Sequence, residues 1–277
     1  MNIGRSAGVQ FFIKGISKIK ITIMAITAQD VNKLRQMTGA GMMDCKKALT
    51  EANGDFEAAV DLLRKKGQKV SASRADRETS EGSVFIKTSD DNTEAVLITF
   101  TCETDFVAKN EAFVTLGESI VENAFATKAE NIADLMNNKL GNLTISEKII
   151  ELVGKIGEKI EISNLVRVKG EAVVPYIHSG SKLGVLVELK GVNGVDVSGA
   201  GKDVGMQIAA MNPVSVSEDD VDEATKQKEF EIGKEQALAE GKPEAIIEKI
   251  AQGKLQKFFK DNTLLNQQFV KDNSVTV

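Results

Sequence analysis

The chain is predicted to be α+β, and three observations carry that prediction. Residues 27–67 repeat apolar side chains at helical spacing. From residue 81 the pattern switches to strand-like runs closed by polar turns. Residues 218–260 return to helical spacing around a single Gly241-Lys242-Pro243 turn. The strand-then-helix order recurs weakly about 90 residues downstream, which predicts two related subdomains, each a small antiparallel sheet with helices on one face.

Residues 24–67 read as a minimal three-helix bundle, similar to a ubiquitin-associated domain. Thr27 with Asp30 makes a capping box, and Val31, Leu34 and Met37 mark one face of the first helix. Gly39 and Gly41 bracket a turn. The second helix, residues 42–52, is stopped by Asn53-Gly54. Asp55 caps the third, where Phe56, Ala59, Val60 and Leu63 share a face and Gly67 ends the run. Residues 68–80 hold little apolar material and no period, so an exposed, mobile linker is expected there.

Residues 81–170 form the first subdomain. Segments 84–87 and 94–101 flank the polar turn Ser89-Asp90-Asp91-Asn92 as a hairpin. Helices over 112–125 and 146–154 follow, and a strand over 159–169 closes the unit. Residues 171–277 form the second: strands 173–178 and 184–190, a helix over 201–210, then the helical hairpin of 218–260. Pro243 is tolerated at a helix start. Ile246, Ile247, Ile250, Leu255 and Phe258 make a denser stripe than Val221, Ala224, Ile232 and Leu238, so the hairpin is expected to project.

Composition narrows the function. An apolar fraction of 42% and a charged fraction of 27% suit a globular protein with real cores. Net charge is −5, which lacks the cationic footprint of a nucleic-acid binder. Aromatics are 5% with no Trp, too few for base-stacking platforms. Cys45 and Cys102 form no CxxC pair and one His cannot complete a zinc site, so two reduced, buried thiols and no metal or cofactor are expected. No apolar run approaches the roughly 20 residues that span a membrane. Residues 1–23 carry Arg5, Lys14, Lys18 and Lys20 and no acid. That composition fits a transit peptide; the favoured expectation is an upstream extension outside the fold.

Two segments carry chemistry. Thr104-Asp105-Phe106-Val107-Ala108-Lys109-Asn110-Glu111-Ala112-Phe113 follows the apolar run Ala95–Phe100, where a strand gives way to a helix. Loops there usually face water and carry function. By residue chemistry alone, Asp105 reads as a helix N-cap and Phe106 either as a core anchor or as a probe meant for another protein. The other segment is Thr38-Gly39-Ala40-Gly41-Met42-Met43-Asp44-Cys45-Lys46-Lys47-Ala48-Leu49. Its methionine pair is either core filler or an adaptable outward patch. Its glycines do not make a Walker loop, because GxxxxGK[ST] is absent. His178, at a strand end, reads as an ordinary surface or core residue.

Together the two segments closely resemble the elongation factor Ts family, the bacterial nucleotide-exchange factors of the GTPase elongation factor Tu. The resemblance runs from about Met24, where a usual family start occurs, to Val270. It implies a cytoplasmic exchange factor, not an enzyme, that binds elongation factor Tu with GDP, displaces Mg²⁺ and promotes GDP release. It implies no nucleic acid, membrane or small-molecule substrate. Thr104, Asp105, Phe106 and Val107 are then the wedge driven in beside the partner's magnesium. Arg35, Met42, Met43 and Lys46 match contacts to a helix of the GTPase domain. His178 matches a contact to the partner's far domains, although His-Ser-Gly-Ser-Lys-Leu-Gly departs mildly from the usual motif. The family usually continues beyond the equivalent of Val277 with a helix and a closing strand, so a truncated second sheet with an unpaired edge is expected.

Two rival classes remain. An adaptor would bind ubiquitin-like partners through the bundle, and a ubiquitin pull-down discriminates it. A hydrolase would use Asp105, Cys102 and His178, yet no nucleophile signature surrounds Cys102. Removing residues 1–23 is expected to leave stimulated GDP release from elongation factor Tu intact. A trimmed chain that no longer speeds release contradicts that expectation.

Overall fold

The capping box at Thr27 forms as the sequence requires: the Thr27 hydroxyl accepts the Asp30 N–H at 3.1 Å, and Asp30 accepts the Thr27 N–H at 3.0 Å. This is a computed structural model that describes residues 26–277; the basic stretch 1–23 lies outside them. The described chain divides into two compact units. One holds residues 26–82, 100–123 and 131–163, and the other holds 83–99, 124–130 and 164–277.

In the first unit, helices α1 (Ala28–Thr38), α2 (Met42–Glu51) and α3 (Phe56–Arg74) make the expected bundle. Gly39 closes α1 at φ 67°, and Asn53-Gly54 reverses the chain at φ 51° and 86°. Val31, Leu34, Cys45, Ala48, Leu49 and Ala59 are its buried core, with Phe56, Val60 and Leu63 packed against them. Met37 is not part of it and stands 60% exposed. At 100° per residue the inward stripe from Val31 and Leu34 returns at Thr38, whose hydroxyl donates to the Leu34 carbonyl at 2.7 Å.

Gly67 does not end the third helix, and residues 68–74 are not a linker. Helix α3 runs 19 residues to Arg74. It packs on α7 (Ile145–Ile156), which opens with a second capping box, Thr144 with Glu147, and ends at Gly157 in the left-handed region. Where the helices cross, an added Cβ on Gly154 would lie 2.8 Å from the Gly67 Cα. Gly67 is there for close approach, and the packing outweighs the ~1 kcal/mol that glycine costs inside a helix.

Strands β1 (Glu81–Thr88), β2 (Glu94–Cys102) and β5 (Ile160–Lys169) form a sheet in the order β1-β2-β5. Central β2 is buried along most of its length. Helices α4 (Asp105–Ala108), α5 (Glu111–Thr127) and α6 (Ile132–Asn137) follow it. A short hairpin, β3 (Lys139–Leu140) with β4 (Leu143–Thr144), leads into α7. Phe100 of β2 and Phe113 of α5 are fully buried and stack with ring centroids 4.5 Å apart.

In the second unit, Arg167 closes the end of α5. Its guanidinium pairs with Glu94 and donates to the Ala124 carbonyl at 2.6 Å. Strands β6 (Ala172–Ile177) and β7 (Gly184–Leu189) pair antiparallel, with Val174 opposite Val187. Helix α8 (Ser198–Met211) lies on them through Gly201 and Gly205, where a Cβ would meet Val174 and Tyr176 at 2.5 and 2.6 Å. Buried Gln207 donates to Gln267 at 3.1 Å and accepts the Val270 N–H at 2.8 Å. That joins α8 to a closing hairpin, β8 (Gln268–Phe269) with β9 (Asp272–Thr276).

The helical hairpin is α9 (Glu223–Ala239) and α10 (Glu244–Asn262), reversed at Gly241 with φ 70°. Its inward stripe on α10 is Ile247, Ala251, Leu255 and Phe259. Ile246 sits 41% exposed, because the seam follows i, i+4 from Ile247 rather than its neighbour. Gly233 lets α9 approach the Ala251 backbone, where a Cβ would lie 3.0 Å away.

Gly154→Ala is expected to push α3 off α7 and lower stability by about 1–3 kcal/mol. Thermal unfolding measures it; an unchanged melting temperature contradicts the close crossing.

Candidate functional site

Strand β2 ends at Cys102, and the chain turns outward through Glu103 and Thr104 into the one-turn helix α4. Its first turn splits sharply by exposure. Val107 and Ala108 are buried at 7% and 8%, whereas Phe106 is 83% exposed. The core-anchor reading of Phe106 therefore fails, and Val107 is the residue that anchors the turn. Asp105 is not the N-cap; Thr104 holds that position, in extended conformation. The Asp105 carboxylate instead accepts from Lys109 Nζ at 2.8 Å, one helical turn on. That contact holds Lys109 above its ordinary pKa.

Thr104 makes no side-chain cap bond. Its N–H donates to Glu158 Oε2 at 3.0 Å and its hydroxyl to Oε1 at 2.7 Å. Glu158 follows Gly157, whose φ of 86° turns the chain from α7 toward β5. The joint is reciprocal. Lys159 N–H donates to Glu103 Oε1 at 2.6 Å, and Arg77 donates to Oε2 at 2.9 Å, with Arg74 at 3.8 Å. Burial works against the charged form of Glu103. The Lys159 N–H and the two arginines outweigh it, so its pKa lies below the ordinary 4.5. Cys102 behaves oppositely: burial, then the Glu158 charge, push its thiol up to about 11. It is protonated at neutral pH and is no thiolate nucleophile.

The same unit carries a second exposed face. The inward positions of α2 are Cys45, Ala48 and Leu49, which leaves Met42 at 44% and Met43 at 75% exposed. The methionine pair is thus outward, not core filler. Arg35 and Lys46 are exposed as well. Exposed Met37 was missed at the sequence level; the rotation of α1 that puts Thr38 inward is the signal that could have found it.

In the second unit, His178 is exposed on a tight loop between β6 and β7. Its Nδ1 lies 3.0 Å from the Tyr176 hydroxyl, its N–H donates to the Leu183 carbonyl at 2.9 Å, and Ser181 N–H donates back at 3.0 Å. Ile177 and Leu183 flank it, 44% and 43% exposed, and were also missed. Alternating apolar residues at the ends of two short strands gave no hint of which face was covered.

Exposed apolar side chains thus stand beside polar joints at Thr104 and at His178, and Met42 and Met43 stand exposed on α2. Comparison with known proteins agrees on the family. The family model described as Elongation factor TS matches residues 103–277. The elongation factor Ts of Cytophaga hutchinsonii is 59% identical over 253 residues, covering 91% of each chain. The chain belongs to the elongation factor Ts family. The elongation factor Ts of Amoebophilus asiaticus is 55% identical over 254 residues, 92% of each chain. That of Chlorobaculum tepidum is 43% identical over 258 residues, covering 91% of this chain and 90% of its own. The family match begins at Glu103, the first residue of the joint. Among the described residues no group of His, Cys, Asp and Glu is placed to hold a metal ion, and no helix is long and apolar enough to cross a membrane.

Because the Glu103 pKa is lowered on folding, its contribution to stability is full above about 4.5 and is lost as pH falls through the lowered value. Glu103→Gln is expected to flatten part of the acid-unfolding curve below that pH. Circular dichroism through an acid titration measures this; an unchanged acid limb contradicts it.

Proposed function

We propose that the chain is a cytoplasmic guanine-nucleotide exchange factor for elongation factor Tu, acting by binding and not as an enzyme. The observation that carries this reading is Phe106, 83% exposed on a locked turn in a member of the elongation factor Ts family. An aromatic ring left in water beside the exposed Asp105–Lys109 pair is a contact held in reserve.

In this reading the ring enters the partner beside its bound magnesium and shifts the groups that hold the metal. Magnesium ties the nucleotide's phosphates to the GTPase. Weakening that tie speeds GDP release without any covalent step. Asp105 brings negative charge to the same place, and Val107 buttresses the turn from inside. No metal, cofactor, nucleic acid, membrane or small-molecule substrate enters the scheme on this chain's side.

Magnitudes require a second contact. A thousandfold faster release needs roughly 4 kcal/mol off the barrier. Burying one Phe contributes about 1.5–3 kcal/mol. Arg35, Met42, Met43 and Lys46 supply that further surface against the GTPase domain, and His178 supplies one against the partner's other domains. The exposure of both methionines supports this use. Flexible thioether chains adapt to a partner's grooves at little rotamer strain.

Phe106→Ala is expected to keep the fold and slow GDP release by about tenfold or more, the loss of one buried ring. Stopped-flow fluorescence of labelled GDP leaving elongation factor Tu measures it. Release unchanged from the parent chain contradicts the wedge.

A further inference from the structure

A single helical turn does not hold itself together. Nucleating a turn fixes several dihedrals for one hydrogen bond, so a four-residue helix such as α4 needs outside support. Val107 and Ala108 give apolar support from beneath. The direction of the turn is set elsewhere, at Thr104. A Thr at an N-cap ordinarily turns its oxygen to its own helix, a bond whose loss costs about 1 kcal/mol. Thr104 forgoes that bond. Its hydroxyl and its N–H both go to one carboxylate, Glu158, at 2.7 and 3.0 Å. Charge-assisted bonds of this kind are about twice as strong as neutral ones.

The neighbouring corner is fixed in the same way. Glu103 accepts the Lys159 N–H and the Arg77 guanidinium at 2.6 and 2.9 Å. Lys159 Nζ in turn donates to the Arg77 carbonyl at 3.0 Å. Three segments, around residues 77, 103–104 and 158–159, are thus knotted together immediately before the turn that carries the exposed ring.

We propose that Glu158 is a positioning residue for nucleotide exchange: its bidentate grip on Thr104 fixes the direction in which Phe106 leaves the protein. The proposal rests on the reading of Phe106 as the wedge. Glu158 touches neither partner nor nucleotide in this scheme. It acts through Phe106 by removing the entropy that a loose turn would lose on docking. It should therefore change how fast bound partner releases GDP far more than how tightly the partner is held, because the methionine face docks independently.

The test is stopped-flow release of labelled GDP from elongation factor Tu across a range of factor concentrations. The variants are Phe106→Ala, Glu158→Ala, Glu158→Gln and the double Phe106→Ala/Glu158→Ala. Glu158→Ala is expected to lower the maximal release rate by about tenfold while the half-saturating concentration moves by less than about twofold. Glu158→Gln can accept the Thr104 N–H and donate to its hydroxyl, so it should restore most of the rate. The double variant should be no slower than Phe106→Ala alone, since both act through one ring.

Additive losses in the double variant, or a maximal rate that Glu158→Ala leaves unchanged while Phe106→Ala lowers it, overturn the positioning role and leave the wedge standing. A silent Phe106→Ala overturns the wedge itself, and the positioning role with it. Should Glu158→Ala melt below the assay temperature, Thr104→Val takes its place. It removes the hydroxyl at nearly constant volume but keeps the N–H bond to Glu158. A smaller loss of maximal rate than with Glu158→Ala, non-additive with Phe106→Ala, is therefore required of it, and an unchanged rate overturns the positioning role.

Discussion

Two peptide N–H groups exchanged between neighbouring corners brace the turn that carries Phe106. Thr104 gives its N–H to Glu158, and Lys159 gives its N–H to Glu103. Each corner thereby supplies the acceptor that satisfies the other's backbone. Partly buried backbone donors must find such partners, and here they find carboxylates rather than carbonyls. The consequence is a stiff corner where the chain leaves β2 to carry an aromatic ring into water. A flexible loop could present the same ring, yet it would surrender ordering entropy each time it docked.

The corner is also tied to the amino-terminal bundle. Helix α3 begins in the bundle core at Phe56 and ends at Arg74, which lies 3.8 Å from Glu103. Midway, Gly67 crosses Gly154 of α7 at backbone contact. One continuous helix thus runs from the bundle that carries the methionine face to Glu103, at the foot of the aromatic finger. Both surfaces belong to one compact unit. In the proposed scheme, engagement of the first would make the second an intramolecular event, with a high effective concentration and no new contact needed. A free linker in the same place would have given most of that gain away.

Sequence and structure part company at places with a common cause. The capping boxes at Thr27 and Thr144 involve residues three apart, and the Thr27 box was legible because its chemistry is local. The strands and the two long helices of the hairpin were legible from their periods. Gly67 was misread because glycine signals both helix ends and close helix crossings, and only the partner helix distinguishes them. Met37 was placed inward by counting threes, where the true rotation favours Thr38. The outward direction of Phe106 and of Met42 and Met43 came from the resemblance, since residue chemistry alone allowed core or surface. Glu158 gave no signal at all. Its partner Thr104 is 54 positions away, and no local pattern links them.

In the proposed scheme, exposed groups and locked groups divide the work of a reversible binder. The ring of Phe106 and the thioethers supply apolar area, and that area yields free energy only when a partner covers it. Lys109 balances Asp105 across one turn, 75% and 47% exposed, and such exposed pairs are easily exchanged for other contacts. The finger therefore presents strong apolar contact with replaceable charge. Linkage then limits how tight the complex can become. If nucleotide and exchange factor weaken each other's binding, they do so by the same factor. In the proposed scheme, stiffness beneath the finger would raise the strain imposed on the partner's metal site without adding area to the contact. It would then speed nucleotide release while leaving the factor free to be displaced when fresh nucleotide arrives.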